Sequence, residues 1–184
     1  NIFQEKAVIN ESKSEFKINS YDIKLKSFEQ KLNELFSTDS KTTGRDQSDV
    51  TGLIGQYAHG NEPSHHMAYL YNYVGKPEKT QEKIYKILTE FYKNNPDGLI
   101  GNEDCGQMSA WYIFSTLGFY PVNPATGEYV IGQPQVKSVT VQLTDGKLLQ
   151  IKNNNSKSVL FNNQPVKGFI LRHKEISAGG TLIY

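Results

Sequence analysis

Apolar positions along the first two thirds of the chain recur with helical spacing. Leu25, Phe28, Leu32, Leu35 and Phe36 fall on one helix face. Met67, Leu70, Tyr71 and Val74 follow an i, i+3, i+4, i+7 pattern that Gly75 is placed to stop. Ile84, Ile87, Leu88 and Phe91 repeat it as far as Asn95-Pro96-Asp97-Gly98. The run from Met108 to Leu117 (Ala110, Trp111, Tyr112, Ile113, Phe114) is apolar all round, which predicts a deeply buried helix closed by Gly118 and Pro121. Beyond Pro121, Pro124 and Gly127 the period falls to two. Val139, Val141 and Leu143 alternate with polar residues, Asp145-Gly146 signals a hairpin, and Leu149 and Ile151 return. Asn162-Asn163 reads as a second hairpin turn with Phe169 and Leu171 on its far arm. Helices in one block and strands in the next predict an α+β chain. Residues 1–121 form its helical part and residues 122–184 a small antiparallel β region packed on it.

Composition narrows the function classes. Lys and Arg total 20 against 19 acidic residues, with no basic run, which excludes a nucleic-acid binder that works by phosphate neutralisation. No apolar stretch approaches the roughly 20 residues of a membrane span. The single cysteine, Cys105, excludes an intrachain disulfide and a multi-cysteine zinc site. The 11 tyrosines, 9 phenylalanines and 1 tryptophan supply flat surfaces suited to cores or to sugar rings. The chain opens at Asn1 without a signal peptide and stops inside the strand-like run Thr181-Leu182-Ile183-Tyr184. A piece of a longer protein is expected, with the remainder of the same polypeptide as its first partner.

Two polar clusters sit where loops enter helices. The first, Gln56-Tyr57-Ala58-His59-Gly60-Asn61-Glu62-Pro63-Ser64-His65-His66, holds three of the four histidines. A helix start explains Asn61 through Ser64, with Asn61 or Glu62 as cap and Pro63 in the first turn. It does not explain two adjacent histidines, which point about 100° apart on a helix. A single Glu62-Pro63-Ser64-His65 lacks the second motif of a di-iron bundle, and the zincin order is absent. The Glu62 carboxylate and Asn61 carbonyl suit a hard ion such as calcium.

The second cluster runs from Pro96 to Gln107 and contains Asn102-Glu103-Asp104-Cys105-Gly106. Asp104 with Gln107 resembles a capping box, and the glycines allow tight turns. Consecutive carboxylates beside the only tryptophan also fit glycoside hydrolysis. A phosphate cradle is disfavoured because no P-loop lysine follows. Cys105 is either a nucleophile served by His65 or His66, or a small buried hydrophobe. His173 reads as ordinary surface. Asp46 and Asp49 lack the alternating ligands of a calcium loop.

The block from Gly52 to His66 resembles a hallmark of the calcium-dependent exo-α-mannosidases, glycoside hydrolase family 92. Asp97-Gly98, then Gly101-Asn102-Glu103-Asp104-Cys105-Gly106-Gln107-Met108-Ser109-Ala110-Trp111-Tyr112 and Leu117-Gly118-Phe119-Tyr120-Pro121, resembles that family's second block. The likeness covers about residues 28–184. It implies an N-terminal β-sandwich followed by an (α/α)6 barrel, of which this chain is the last part with its strand-rich tail. It implies periplasmic or secreted localisation, and mannose-containing glycans as substrates hydrolysed from their ends with inversion.

By the same resemblance Asp104 stands at the catalytic base. Asn102 occupies a position where some members carry an assisting aspartate, so base work falls to Asp104 alone. Calcium would engage the mannose 2- and 3-hydroxyls, with Glu62 and Asn61 as ligands. His65, His66, Glu103 and Trp111 are expected to contact the sugar. The family's general acid opens a Glu-Gly-Asn-x-aromatic-Gln segment whose end Asn1-Ile2-Phe3-Gln4 resembles, which puts the glutamate two positions upstream of Asn1. The Val-Pro-His-Asp run expected next is missing between Glu5 and Asp22. The alternatives are a catalytically inactive glycan-binding relative and a non-enzymatic α+β interaction domain.

Overall fold

The computed structural model describes residues 14–41, 47–156 and 158–184, with the side chains of residues 22–41 and those of the later segments. The expectations placed on residues 1–4 and on Asp46 lie outside the described residues. The chain is α+β, as its blocks of periodicity predict. Helix α1 (Ser14–Ser37) leads into a short antiparallel hairpin of β1 (Leu53–Ile54) and β2 (Tyr57–Ala58). A 3-10 turn (Glu62–Ser64) and a 3-10 helix (Met67–Val74) follow, then α2 (Pro77–Glu90) and α3 (Gln107–Leu117). These helices form an open layer; within the chain they do not close a barrel.

The apolar stripes of α1 and α2 predict much of the helical core, although Phe28 of the α1 stripe is exposed. Leu32 and Phe36 of α1, and Ile84, Ile87 and Leu88 of α2, all enter the core. The segment from Met67 to Val74 departs from its pattern. Winding at three residues per turn rotates the face, so that Ala68, Tyr69, Tyr71 and Asn72 are buried instead of Met67, Leu70 and Val74. Helix α3 is likewise not buried on every side. Met108, Trp111 and Ser115 face the core, whereas Tyr112 and Ile113 are 40% and 57% exposed. Apolar residues all round a helix do not distinguish a core face from one that another segment covers.

Ten strands complete the count among the described residues, eight of them after α3. Strands β3 (Phe119–Asn123), β4 (Glu128–Ile131) and β9 (Ile170–Arg172) form a three-stranded antiparallel sheet. Strands β5 (Ser138–Gln142), β6 (Leu148–Lys152), β7 (Leu160–Phe161), β8 (Gln164–Pro165) and β10 (Gly180–Ile183) form a second sheet in the order β5-β6-β10-β7-β8. The hairpin at Asp145-Gly146 is present as β5–β6. Two expectations need correction. The region is not wholly antiparallel, because β10 runs parallel to β6 with Leu182 opposite Ile151. The Asn162-Asn163 turn does join a hairpin, but its far arm is β8; Phe169 lies in a 3-10 turn and Leu171 pairs with Tyr129 in the other sheet. The short helix α4 (His173–Ile176) separates β9 from β10.

Two cores result, and β3–β4 is their common wall. The paired residues Tyr120 and Val130 belong to the helical core with Trp111, Tyr69 and Ile84. The adjacent pair, Phe119 and Ile131, belongs to the sheet core with Ile151, Leu149 and Leu182. Alternate side chains of a strand point to opposite faces, so one ladder serves both.

The turn between β1 and β2 is set by contact with α1. The Gln56 N–H donates to the Leu35 carbonyl at 2.7 Å, and a Cβ on Gly55 would lie 2.5 Å from that oxygen at φ +63. Gly75 shares the left-handed φ but has open space around it. Gly75→Ala is therefore expected to cost about 1 kcal/mol of backbone strain. Gly55→Ala should cost roughly 3 kcal/mol or more, because backbone atoms must move. Urea unfolding of both variants checks this; equal destabilisation would contradict the packing described.

Candidate active site

The hairpin β1–β2 delivers the first polar cluster. Asn61 precedes the 3-10 turn with Pro63 in its first turn, as a helix start requires, yet the Asn61 side chain makes no capping bond. The second cluster enters α3 through an unusual backbone. Asp104, Cys105 and Gly106 have φ of 54, 56 and 87. Two non-glycine residues in succession in this region cost of order 1–3 kcal/mol each. The N-cap of α3 is Gly106, so the Asp104/Gln107 capping box is not formed. Glu103 caps from further back: its carboxylate accepts the Ser109 N–H at 3.0 Å and the Ser109 hydroxyl at 2.8 Å. That releases Asp104 and Gln107 for other contacts.

Gln107 joins the two clusters through His65. The His59 carbonyl can only accept, so the His65 Nε2 that lies 2.9 Å away carries a hydrogen. Burial pushes the His65 ring pKa down, against the opposing pull of its hydrogen bond to His59 and of the Glu62 and Asp104 charges. In the resulting neutral ring Nδ1 is a bare acceptor, and it receives the Gln107 amide at 3.0 Å. The same nitrogen of Gln107 donates to the Tyr120 hydroxyl at 3.2 Å. The Trp111 indole donates to the His65 carbonyl at 3.0 Å, so His65 is tied on three sides.

Beneath this lies a second directed chain. The Tyr92 hydroxyl donates to the Met108 carbonyl at 3.0 Å, which makes it the acceptor for His59 Nε2–H at 2.7 Å. His59 Nδ1 then accepts from the Tyr57 hydroxyl at 2.8 Å. The His59 ring packs on His65 at 4.7 Å and edge-on to Trp111 at 4.5 Å. Burial, reinforced by His65, pushes the His59 pKa down to about 3.

Above these rings the carboxylates gather. The Asp104 carboxyl is held above the usual aspartate range by partial loss of solvation, then by the charges of Glu62 and Asp49, by hydrogen bonding to Glu62, and by Glu103. The two loops therefore bring the Glu62 and Asp104 carboxyls within interaction range of each other. A divalent cation would relieve this repulsion, and carboxylates with the neighbouring Asn61 amide are donors for a hard ion. Among the described residues no group of three or more His, Cys, Asp or Glu converges tightly enough to hold a metal by itself. The fit is one of donor chemistry.

Several expected site residues are placed differently. Trp111 is 0% exposed and His65 1%, so neither offers a face to a sugar; both act as the floor. The Glu103 carboxylate is engaged by Ser109. His66 and Glu62 are half-buried and Asn102 is exposed. Cys105 is exposed, not a buried hydrophobe, and His65 has both ring nitrogens committed to other partners. Two residues act otherwise than expected: Asp49, set aside as a calcium-loop ligand, bears on Asp104 by its charge, and Gln107, expected in a capping box, is the bridging amide. His59 has no apolar period to mark it, and its burial follows from tertiary packing.

Comparison with known proteins finds similar chains. The model of the glycosyl hydrolase family 92 catalytic domain matches residues 24–184. A family GH92 α-mannosidase from Bacteroides thetaiotaomicron, solved with mannoimidazole, is 41% identical with a TM-score of 0.79, over 85% of this chain and 21% of that one. A family GH92 inverting mannosidase from the same organism is 34% identical with a TM-score of 0.70, over 86% of this chain and 24% of that one. A protein of Arthroderma benhamiae described as an uncharacterized secreted glycosidase is 30% identical over 97 residues, which are 52% of this chain and 12% of that protein. The chain thus spans about a fifth of the solved structures and less of the Arthroderma protein.

The buried, neutral His59 makes stability pH-dependent. The ordinary imidazole pKa of 6.5 applies in the unfolded chain, whereas burial in the fold holds it down at about 3. Between these values the unfolded state binds the extra proton, so stability present above pH 6.5 is lost as pH falls toward 3. The slope from His59 approaches about 1.4 kcal/mol per pH unit. Urea unfolding followed by tryptophan fluorescence from pH 8 to 4 should show a plateau and then this decline. Constant stability from pH 6.5 to 4.5 would contradict the neutral ring.

Proposed function

The chain belongs to glycosyl hydrolase family 92, and from that premise we propose that its full-length protein removes terminal α-mannose residues from glycans with inversion. The observation that carries this reading is the Gln107–His65 hydrogen bond, which ties the loop bearing Glu62 to the helix start bearing Asp104 and so keeps the two carboxyls within reach of each other. The printed descriptions of the related structures, an α-mannosidase with mannoimidazole and an inverting mannosidase, support the substrate class and the stereochemistry.

In this reading Asp104 is the general base. It takes a proton from water on the face of the sugar opposite the leaving group, while a carboxylic acid from another part of the polypeptide protonates the leaving oxygen. Asp104 takes no part in capping α3, since Glu103 performs it. Asn102, exposed beside it, has no carboxylate with which to assist. Calcium bound at Glu62, with Asn61 as a further oxygen donor, would polarise the mannose 2- and 3-hydroxyls. His66 completes the rim on the same loop. Residues 1–121 then serve as the end of the catalytic barrel and residues 122–184 as the β-rich region that supports it. The remainder of the polypeptide supplies the acid. Secretion is supported by the description of the Arthroderma relative. No described helix is long and apolar enough to cross a membrane.

Two measurements test this. Asp104→Asn suits the same backbone, because asparagine also tolerates positive φ, but its amide cannot take a proton. Turnover of an aryl α-mannoside by the full-length protein should fall by about 10²-fold or more with the melting temperature unchanged; near wild-type turnover would remove Asp104 as base. Exhaustive chelation should abolish activity and lower the melting temperature, with calcium restoring both in the wild type but not in Glu62→Gln. Full activity after chelation would remove the metal from the mechanism.

A further inference from the structure

Glu103 is adjacent to Asp104 in sequence yet performs a different task. Both of its carboxylate oxygens are engaged by one residue, Ser109, through the backbone N–H and the hydroxyl. Its own carbonyl accepts the Met108 N–H at 3.2 Å, and the Asp104 carbonyl accepts the Gln107 N–H at 3.1 Å. The first turn of α3 is therefore fastened to Glu103 at three points. The chain between the fastenings is forced out as the Asp104-Cys105-Gly106 bulge with positive φ throughout. A relaxed helix start would return Asp104 toward the cap and away from Glu62.

We propose that Glu103 is the positioning residue of this site: by clamping Ser109 it holds the Asp104 bulge outward, so that the Asp104 carboxylate stays opposite Glu62. This inference rests on the reading of Asp104 as general base. It assigns Glu103 a geometric role, in place of the expected contact with the sugar. The distinction follows from hydrogen-bond chemistry. A glutamine keeps an oxygen for the Ser109 N–H and an N–H for the Ser109 hydroxyl oxygen, so it preserves the clamp without the charge. An alanine preserves neither.

The test compares Glu103→Gln, Glu103→Ala, Ser109→Ala and Asp104→Asn in the full-length protein, with kcat and KM on an aryl α-mannoside and melting curves for each. The expected result is a kcat for Glu103→Gln within about threefold of wild type. Glu103→Ala should lose about tenfold or more in kcat with KM nearly unchanged, the signature of a misplaced base. Loss in Glu103→Gln equal to that in Glu103→Ala would overturn the proposal, since charge would then be what matters. Wild-type kcat in a folded Glu103→Ala would overturn it as well. Should Glu103→Ala not fold, Ser109→Ala removes half of the clamp and decides by the same criterion: a lower kcat at constant KM supports the proposal, and wild-type kcat refutes it. Near wild-type turnover by Asp104→Asn would instead refute the base assignment. An inactive Asp104→Asn beside a fully active Glu103→Ala would refute the clamp alone.

Discussion

The site depends on one buried imidazole kept neutral in a single tautomer. His65 donates to the His59 carbonyl on one side and accepts from Gln107 on the other, while its own carbonyl receives the Trp111 indole. Each bond runs in one direction only, so a proton added to the ring would turn two donors against each other at Gln107. The loop bearing Glu62 is thereby fixed to the first turn of α3, and with it to the bulge bearing Asp104. The aromatic rings of His59, Tyr92 and Trp111 pack against one another beneath these bonds.

The strand-rich part contributes by securing the other end of the same helix. The Tyr184 hydroxyl donates to the Gly118 carbonyl at 2.6 Å, and the Gly132 N–H reaches the same oxygen at 2.7 Å. No side chain fits at Gly118, because a Cβ would lie 2.8 Å from both Pro134 and Tyr184. Helix α3 is therefore held at its start by Glu103 and His65 and at its end by the sheet. The wall shared by the two cores, β3–β4, carries Tyr120, which in turn receives Gln107.

Much of this was legible in the sequence because the periodic signals were strong. The stripes of α1 and α2, the switch to period two after Pro121, and both hairpin turns are local features with a fixed geometric reading. The motif blocks carried the family and the separate roles expected of Asp104 and Glu62. What was not legible depends on partners distant in sequence. The parallel pairing of β10 with β6 brings Gly180 opposite Leu149, which no local pattern encodes. Asp49 carries no motif, and it matters only because the fold brings its charge close enough to bear on Asp104. Trp111 and His65 illustrate a different limit: their residue types suit sugar contact, and only burial shows that they work beneath the site. The capping box failed because Glu103, reaching Ser109 over six residues, outcompetes Asp104 for the helix start.

The central claim is that Asp104 activates water on the far face of the sugar, so that α-linked mannose leaves with its anomeric configuration reversed. Proton NMR of the full-length protein acting on an α-mannoside, recorded before mutarotation, reads this directly. The account predicts that β-mannose appears first and α-mannose only later, as the free sugar equilibrates. Release of α-mannose as the first product would contradict it.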